Sequence, residues 1–292
     1  MSLFTTALVA GVLVGLLSGL IGTLVILRQR AFLTVALTHA TFPGGVAAAL
    51  FGVNIVLGAG VMGVLLVLLM LVLGRIPRQG RQVAAGIVLS FGYALGVFLH
   101  SMNQQLPTKV ESYLTGTILA MSPTNLWIIG VTLLVTIAVL LLSWKQLLFS
   151  TFDRPGYLAA GFRESRMELL SLLLITASVA AMMPAIGSIL AIAMIAAPAA
   201  AARLFTRNVA WMLPMSAILG VVSAVLGLYF SRWWGIAAGG TMALTATAIF
   251  VVALVWNRMR GRLGARRVDA GRRAAVPSTT RVAVSGGVHS GA

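Results

Sequence analysis

The sequence predicts an all-α polytopic membrane protein with eight or nine transmembrane helices, some of them interrupted. Three observations carry this expectation. Of the 292 residues, 60% are hydrophobic and only 9% charged, at a mean hydropathy of +1.03, which leaves too little polar surface for a water-soluble domain. The apolar residues form continuous runs, not the short alternating segments of an outer-membrane barrel. The basic residues collect on one side of the topology those runs imply.

At a helical rise of about 1.5 Å per residue, roughly 20 apolar residues cross a hydrocarbon core of about 30 Å. Spans are expected at 3–27, 31–51, 55–73, 83–101, 126–143, 169–185, 187–202, 209–230 and 236–256. The segments 31–51 and 187–202 are short or broken, so the count stands at eight or nine. The first run has no basic residues ahead of it, and Arg28 and Arg30 follow it, so it reads as a span and not as a cleaved leader. It carries Gly11, Gly15 and Gly19 at four-residue spacing, with Gly22 close behind. Such a face lets a neighbouring helix of the same chain approach closely, and Gly92 and Gly96 read the same way. Segment 106–124 is expected outside the membrane as a partial helix. The loop 143–170 is the longest polar interruption before the tail, with both signs of charge and an apolar patch at Tyr157, Leu158 and Phe162. A short amphipathic helix there could lie on the membrane or dock into a partner's groove. From about 258 the composition changes to eight arginines among small residues, the signature of a disordered cytoplasmic tail drawn to anionic membrane lipid.

The net charge of +16 does not indicate nucleic-acid binding, because of where the charges fall. With the N-terminus outside and the C-terminus cytoplasmic, all of the 21 basic residues except Lys109 and Arg232 lie on the inner side. The chain has no cysteine, which excludes disulfides and thiolate metal sites.

Candidate chemistry centres on His39, one of three histidines. It lies about 12 Å of helical rise into its span, and a titratable group at that depth is a functional candidate. Thr38 precedes it. Pro43, Gly44 and Gly45 follow, where a missing backbone donor and two flexible residues should break the helix and free carbonyls near the histidine. A neutral histidine bonded to a neighbouring carbonyl is the structural alternative. His100, at the outer end of the fourth span, is a second candidate ligand; His289 lies in the tail. None of the five acidic residues, Glu111, Asp153, Glu164, Glu168 and Asp269, falls in mid-span, which argues against a proton- or sodium-coupled carrier. No phosphate-binding G-x-x-x-x-G-K-[ST] loop and no hydrolytic motif occurs, so any ATP is bound by another chain.

Four segments together resemble the membrane-spanning permease subunits of ATP-binding-cassette importers for zinc and manganese. "VILRQRAFLTVALTHATFPGGVAAALFG" is similar to that family's basic pair, Ala-Phe-Leu, Ser-His-Ala and Pro-Gly segment. "YLTGTIL" (113–119), "FDRPGYLAAGF" and "IGSILAIAMIAAPAAAARLFTRN" (186–208) resemble three further family elements in the same order. The resemblance covers residues 1 to about 257, and implies a transmembrane permease domain there, with a cytoplasmic coupling segment at 145–168 and the tail 258–292 outside it.

What the resemblance implies is a plasma-membrane transport subunit, not an enzyme, working as a homodimer. A cytoplasmic ATPase would dock around Phe152, Asp153, Tyr157 and Gly161, and an extracellular solute-binding protein would deliver Zn(2+) or Mn(2+) to a transit site at His39 and Thr38. Arg203 and Arg207 would anchor the inner interface. The family's aspartate one helical turn before the histidine is here Val35. An imidazole without its carboxylate suits zinc ahead of manganese. The alternatives are a permease for a siderophore or cobalamin, an ATP-independent secondary carrier, and a membrane scaffold with a basic tail.

Overall fold

A computed structural model describes residues 3–74, 76, 81–103, 116–206 and 208–275. Its described backbone is nearly all helical, and the helices follow the apolar runs. They are α1 (Leu3–Leu27), α2 (Ala31–Ala40), α3 (Phe42–Leu50), α4 (Ile55–Leu73), α5 (Arg81–Met102), a short 3-10 turn (Ile118–Ala120), α6 (Pro123–Phe152), α7 (Arg154–Ala159), α8 (Glu164–Ile186), α9 (Ser188–Phe205), α10 (Val209–Trp234) and α11 (Ala238–Ala275). Counting α2 and α3 as one interrupted span, nine helices among the described residues are long and apolar enough to cross a membrane.

Local chemistry sets the ends. Asn54, Ser122 and Asn208 each accept a backbone N–H at the start of α4, α6 and α10, which satisfies a donor the helix leaves open. The Ser122 cap with Pro123 in the first turn begins α6 before its apolar run, and the helix continues through polar residues to Phe152. α11 continues to Ala275, past 258, where an irregular tail was expected. Arginine and alanine are good helix formers, and no proline follows the span before Pro277. The rest of the expected tail, 276–292, lies outside the described residues, as do most of segment 106–124 and residues 113–115 of the "YLTGTIL" element.

The chain separates into two units, one ending at Ala253 and one beginning at Leu254. Within the first, α1 is the central helix, packed on α10, α9, α8 and α6. Its glycine face meets α10 as the spacing implied. A methyl group on Gly15 would lie 2.7 Å from the Val221 Cα, and one on Gly19 would strike the Ser216 carbonyl. The Ser216 hydroxyl donates to the Gly19 carbonyl at 2.7 Å across the same seam. α2 lies against α5, α9 and α8, while α3 packs on α4 and α5. Three exposed tryptophans mark the helix ends: Trp211 opens α10, and Trp233 and Trp234 close it.

Candidate functional site

His39 sits on the last turn of α2, and α2 stops at Ala40 for reasons that lie in the next residues. Pro43 has no N–H to return to the carbonyl of His39, so the helix cannot continue unchanged. Thr41 takes up the break, and its N–H still reaches the Leu37 carbonyl at 3.2 Å. α3 then restarts at Phe42 with Pro43 in its first turn, where proline is well tolerated. The interruption therefore falls at Thr41, ahead of Pro43-Gly44-Gly45, and those three residues are buried inside α3. Gly44 lies against the Gly58 carbonyl and Met62 of α4, a spacing only a residue without Cβ allows.

The His39 ring is half-buried and lines a cavity of about 350 Å³ with Leu89, Ser90, Tyr93 and Ile189. Tyr93 stands edge-on to His39, ring centroids 6.3 Å apart at 87°, and also leans on Phe42 at 6.2 Å. α5 reaches this position because Gly92 and Gly96 carry no side chains. A Cβ on Gly92 would lie 2.7 Å from the Ala40 Cα, and one on Gly96 would strike Phe42. Ser90 and Tyr93 were not singled out from sequence. The available sign was Gly92 and Gly96 themselves, which mark the face of α5 that meets the histidine helix.

Thr38 does not line the cavity. It is 1% exposed, and its hydroxyl donates to the Val35 carbonyl at 2.7 Å. Its own carbonyl accepts the Thr41 hydroxyl at 3.3 Å. His100, at the end of α5, does not line the cavity either. Its Nδ1 is buried without a hydrogen-bond partner, and its carbonyl accepts the Asn103 N–H. Among the described residues no group of three or more His, Cys, Asp or Glu could hold a metal ion. The polar side chains that line the cavity are the His39 imidazole, the Ser90 hydroxyl and the Tyr93 hydroxyl.

The second candidate region is α7. Asp153 ends α6 and caps α7, its carboxylate accepting the Gly156 N–H at 2.9 Å. Tyr157 is 2% exposed, held edge-on by Phe149 at 5.4 Å and stacked on Phe162 at 5.0 Å. Gly161 turns the chain at φ +81°, a conformation that favours glycine. Phe152, Leu158 and Phe162 are left exposed, and Arg154 pairs with Glu164 at 2.7 Å. Tyr157 therefore shapes this surface from beneath, and Phe152 and Leu158 form it. Phe152 also lines a cavity of about 250 Å³ with Arg203 and Asn208. Arg207 lies outside the described residues.

At the foot of α2, Arg28 donates to the Ser150 hydroxyl at 2.6 Å, the Ser171 hydroxyl at 3.0 Å and the Met167 carbonyl at 3.3 Å. Arg30 pairs with Glu168 at 2.8 Å. Burial, and then the neighbouring Arg30 charge, pull the Arg28 guanidinium below its ordinary range, with Glu168 acting in the opposite sense.

Comparison with known proteins places the chain in context. The family model described as "ABC 3 transport family" matches residues 1–257. The manganese transport system membrane protein MntC of Halalkalibacterium halodurans is 34% identical over 275 residues, covering 94% of this chain and 93% of that protein. MntC of Listeria monocytogenes is 32% identical over 266 residues, covering 91% and 95%. Among solved structures, a chain of PsaBC from Streptococcus pneumoniae in complex with Fab superposes with a TM-score of 0.79 at 28% identity, over 87% of this chain and 91% of that one.

Proposed function

The chain belongs to the ABC 3 transport family, and on that footing we propose that it is the membrane-spanning permease subunit of an ATP-driven importer of a divalent transition metal. The observation that carries this reading is the family match over residues 1–257, the whole apolar part of the chain. Two copies would form the metal path in the plasma membrane, with the N-terminus outside and the C-terminus cytoplasmic. An extracellular solute-binding protein would hand over the ion, and a separate cytoplasmic ATPase would drive the cycle. Membrane lipid surrounds the bundle, and no nucleic acid is involved.

The transit site is His39, with Ser90 and Tyr93 as neighbouring oxygen donors and Thr38 supporting the helix from behind. His100 would serve as a second station toward the outer surface. The ATPase would press on Phe152 and Leu158, while Asp153, Tyr157 and Gly161 fix the shape of that surface. As its subunits close and separate, the path would open alternately to each side.

The relatives named above are manganese transport proteins, which makes manganese the first cargo to test. Zinc is the second reading, favoured by one observation: the position that would supply a carboxylate beside His39 is Val35. Manganese prefers oxygen donors, whereas imidazole serves zinc well.

Uptake of both ions into vesicles holding the reconstituted complex is the direct test. The reading requires ATP-dependent entry of at least one of them, lost in His39→Ala. Entry that persists without an ATPase would sink it in favour of a secondary carrier. Uptake untouched by His39→Ala would remove the histidine from the path and admit a larger, unligated cargo such as a siderophore.

A further inference from the structure

The turn between α1 and α2 is held more firmly than a link between two spans requires. α1 ends in a Schellman arrangement, with the Arg30 N–H donating to the Val25 carbonyl at 2.9 Å and the Gln29 N–H to the Ile26 carbonyl at 3.2 Å. Gln29 takes the left-handed position at φ 54°, where glycine is usual. A strained conformation persists only where its surroundings over-determine it. Here the surroundings are the flanking arginines, each tied to other helices.

Their partners are not scattered. Ser150 lies two residues before the end of α6. Met167, Glu168 and Ser171 fall in the first two turns of α8. These are the two helix ends that α7 joins, and Tyr157 fastens α7 to the first through Phe149 and to the turn that leads into the second through Phe162. The foot of α2 is thereby tied to the frame of the coupling segment by four polar contacts. His39 lies nine residues beyond Arg30, about 14 Å along one unbroken helix.

We infer that Arg28 and Arg30 form a clamp through which movement of the α7 segment is passed to the helix that carries His39, so that both act as positioning residues for transport. The inference rests on the reading of α7 as the ATPase-docking segment. α2 is suited to the task. It is ten residues long, clamped at its foot, and ends at the break at Thr41, where the regular helix stops. α3, beyond that break, stays fixed to α4 where Gly44 and Gly58 meet. A short helix driven at one end and broken at the other can shift as a unit, carrying His39 with it against α5. A paired charge at the driven end supports this role, because a partly buried ion pair contributes little net stability and serves instead to fix which groups meet.

The test compares metal carried per ATP hydrolysed by the reconstituted complex, for wild type, R30A, E168A and the exchanged pair R30E/E168R. The expected result is a fall of about tenfold in that ratio for each single variant, with ATP hydrolysis itself within about twofold of wild type, and partial recovery in the exchanged pair. A merely structural role would lower transport and hydrolysis together and leave the ratio unchanged. That outcome overturns the inference.

A second measurement does not depend on the cargo. The chain has no cysteine, so spin labels can be placed at Phe32 and at Ala159 on α7, both exposed and outside the clamp and the docking surface. The distance between them should stay fixed when the ATPase binds ATP in the wild type and change in R30A. If the wild-type complex carries neither manganese nor zinc, the cargo assignment fails and this distance alone decides the clamp. A distance that responds to ATP equally in wild type and R30A, or in neither, overturns it.

Discussion

Val35 stands one helical turn before His39, on the same face of α2, and His39 is the one side chain of that helix with a strong metal-binding group. Restoring oxygen there should change which ion is carried. Val35→Asp is expected to raise manganese uptake relative to zinc by about tenfold, equivalent to about 1.4 kcal/mol of preference. Competition between the two ions in vesicles measures this, and an unchanged ratio would show that the ion does not pass this face. Glycines offer a contrast at the same scale. Gly19→Val would drive its side chain into the backbone of Ser216 and Ala217, which should cost about 1–3 kcal/mol. Gly60→Ala meets nothing within contact range on α4 and should be neutral or slightly stabilising. Thermal unfolding of the two variants in detergent separates these cases. Gly19 was legible from its spacing with Gly11 and Gly15. Ser90 and Tyr93 were not, because nothing in the pattern of α5 says which helix it will lie against. That depends on the approach of Gly92 to Ala40, a tertiary fact.

The elements were legible where apolar length alone decides, and less so where a cap or a proline decides. The span α1 (Leu3–Leu27) follows its run residue for residue. α6 extends well beyond the run 126–143, since Ser122 starts it early and no breaker stops it before Asp153. The interruption in the second span was expected at Pro43, but proline is accommodated in the first turn of a new helix, so Thr41 carries the break. Two element-scale predictions follow from this geometry. Gln29→Gly removes a left-handed side chain from the α1–α2 turn and should stabilise the protein by about 1 kcal/mol, seen as a higher unfolding temperature. Tyr157→Ala would empty the aromatic stack under α7 at a cost of about 3–5 kcal/mol and collapse the surface formed by Phe152 and Leu158. ATP-driven uptake should be lost in that variant while the spans stay inserted, which protease protection would show.

For the whole molecule, the orientation proposed from the charge distribution can be checked directly, because any introduced thiol is the only one present. A cysteine at Leu3 should react with an impermeant reagent added to intact cells, and one at Gln146, on the inner end of α6, only after the membrane is opened. Both positions are exposed and lie outside the docking surface of α7, so silence reflects sidedness and not burial. The reversed result would invert the topology and place α7 on the wrong side for a cytoplasmic ATPase. The tryptophans of α10 carry a consequence of their own. Trp211 and Trp233 stand 22 residues apart on one helix, about 33 Å, close to the thickness of an ordinary bilayer core. Indole rings settle at the boundary between headgroups and acyl chains, so this helix works as a fixed gauge. A thinner bilayer must either thicken around it or make it lean. Since α10 is seamed to α1 through glycines that leave no slack, any lean would be handed to the centre of the bundle. The lipid's chain length would then become a control on transport rate that no ligand or mutation supplies.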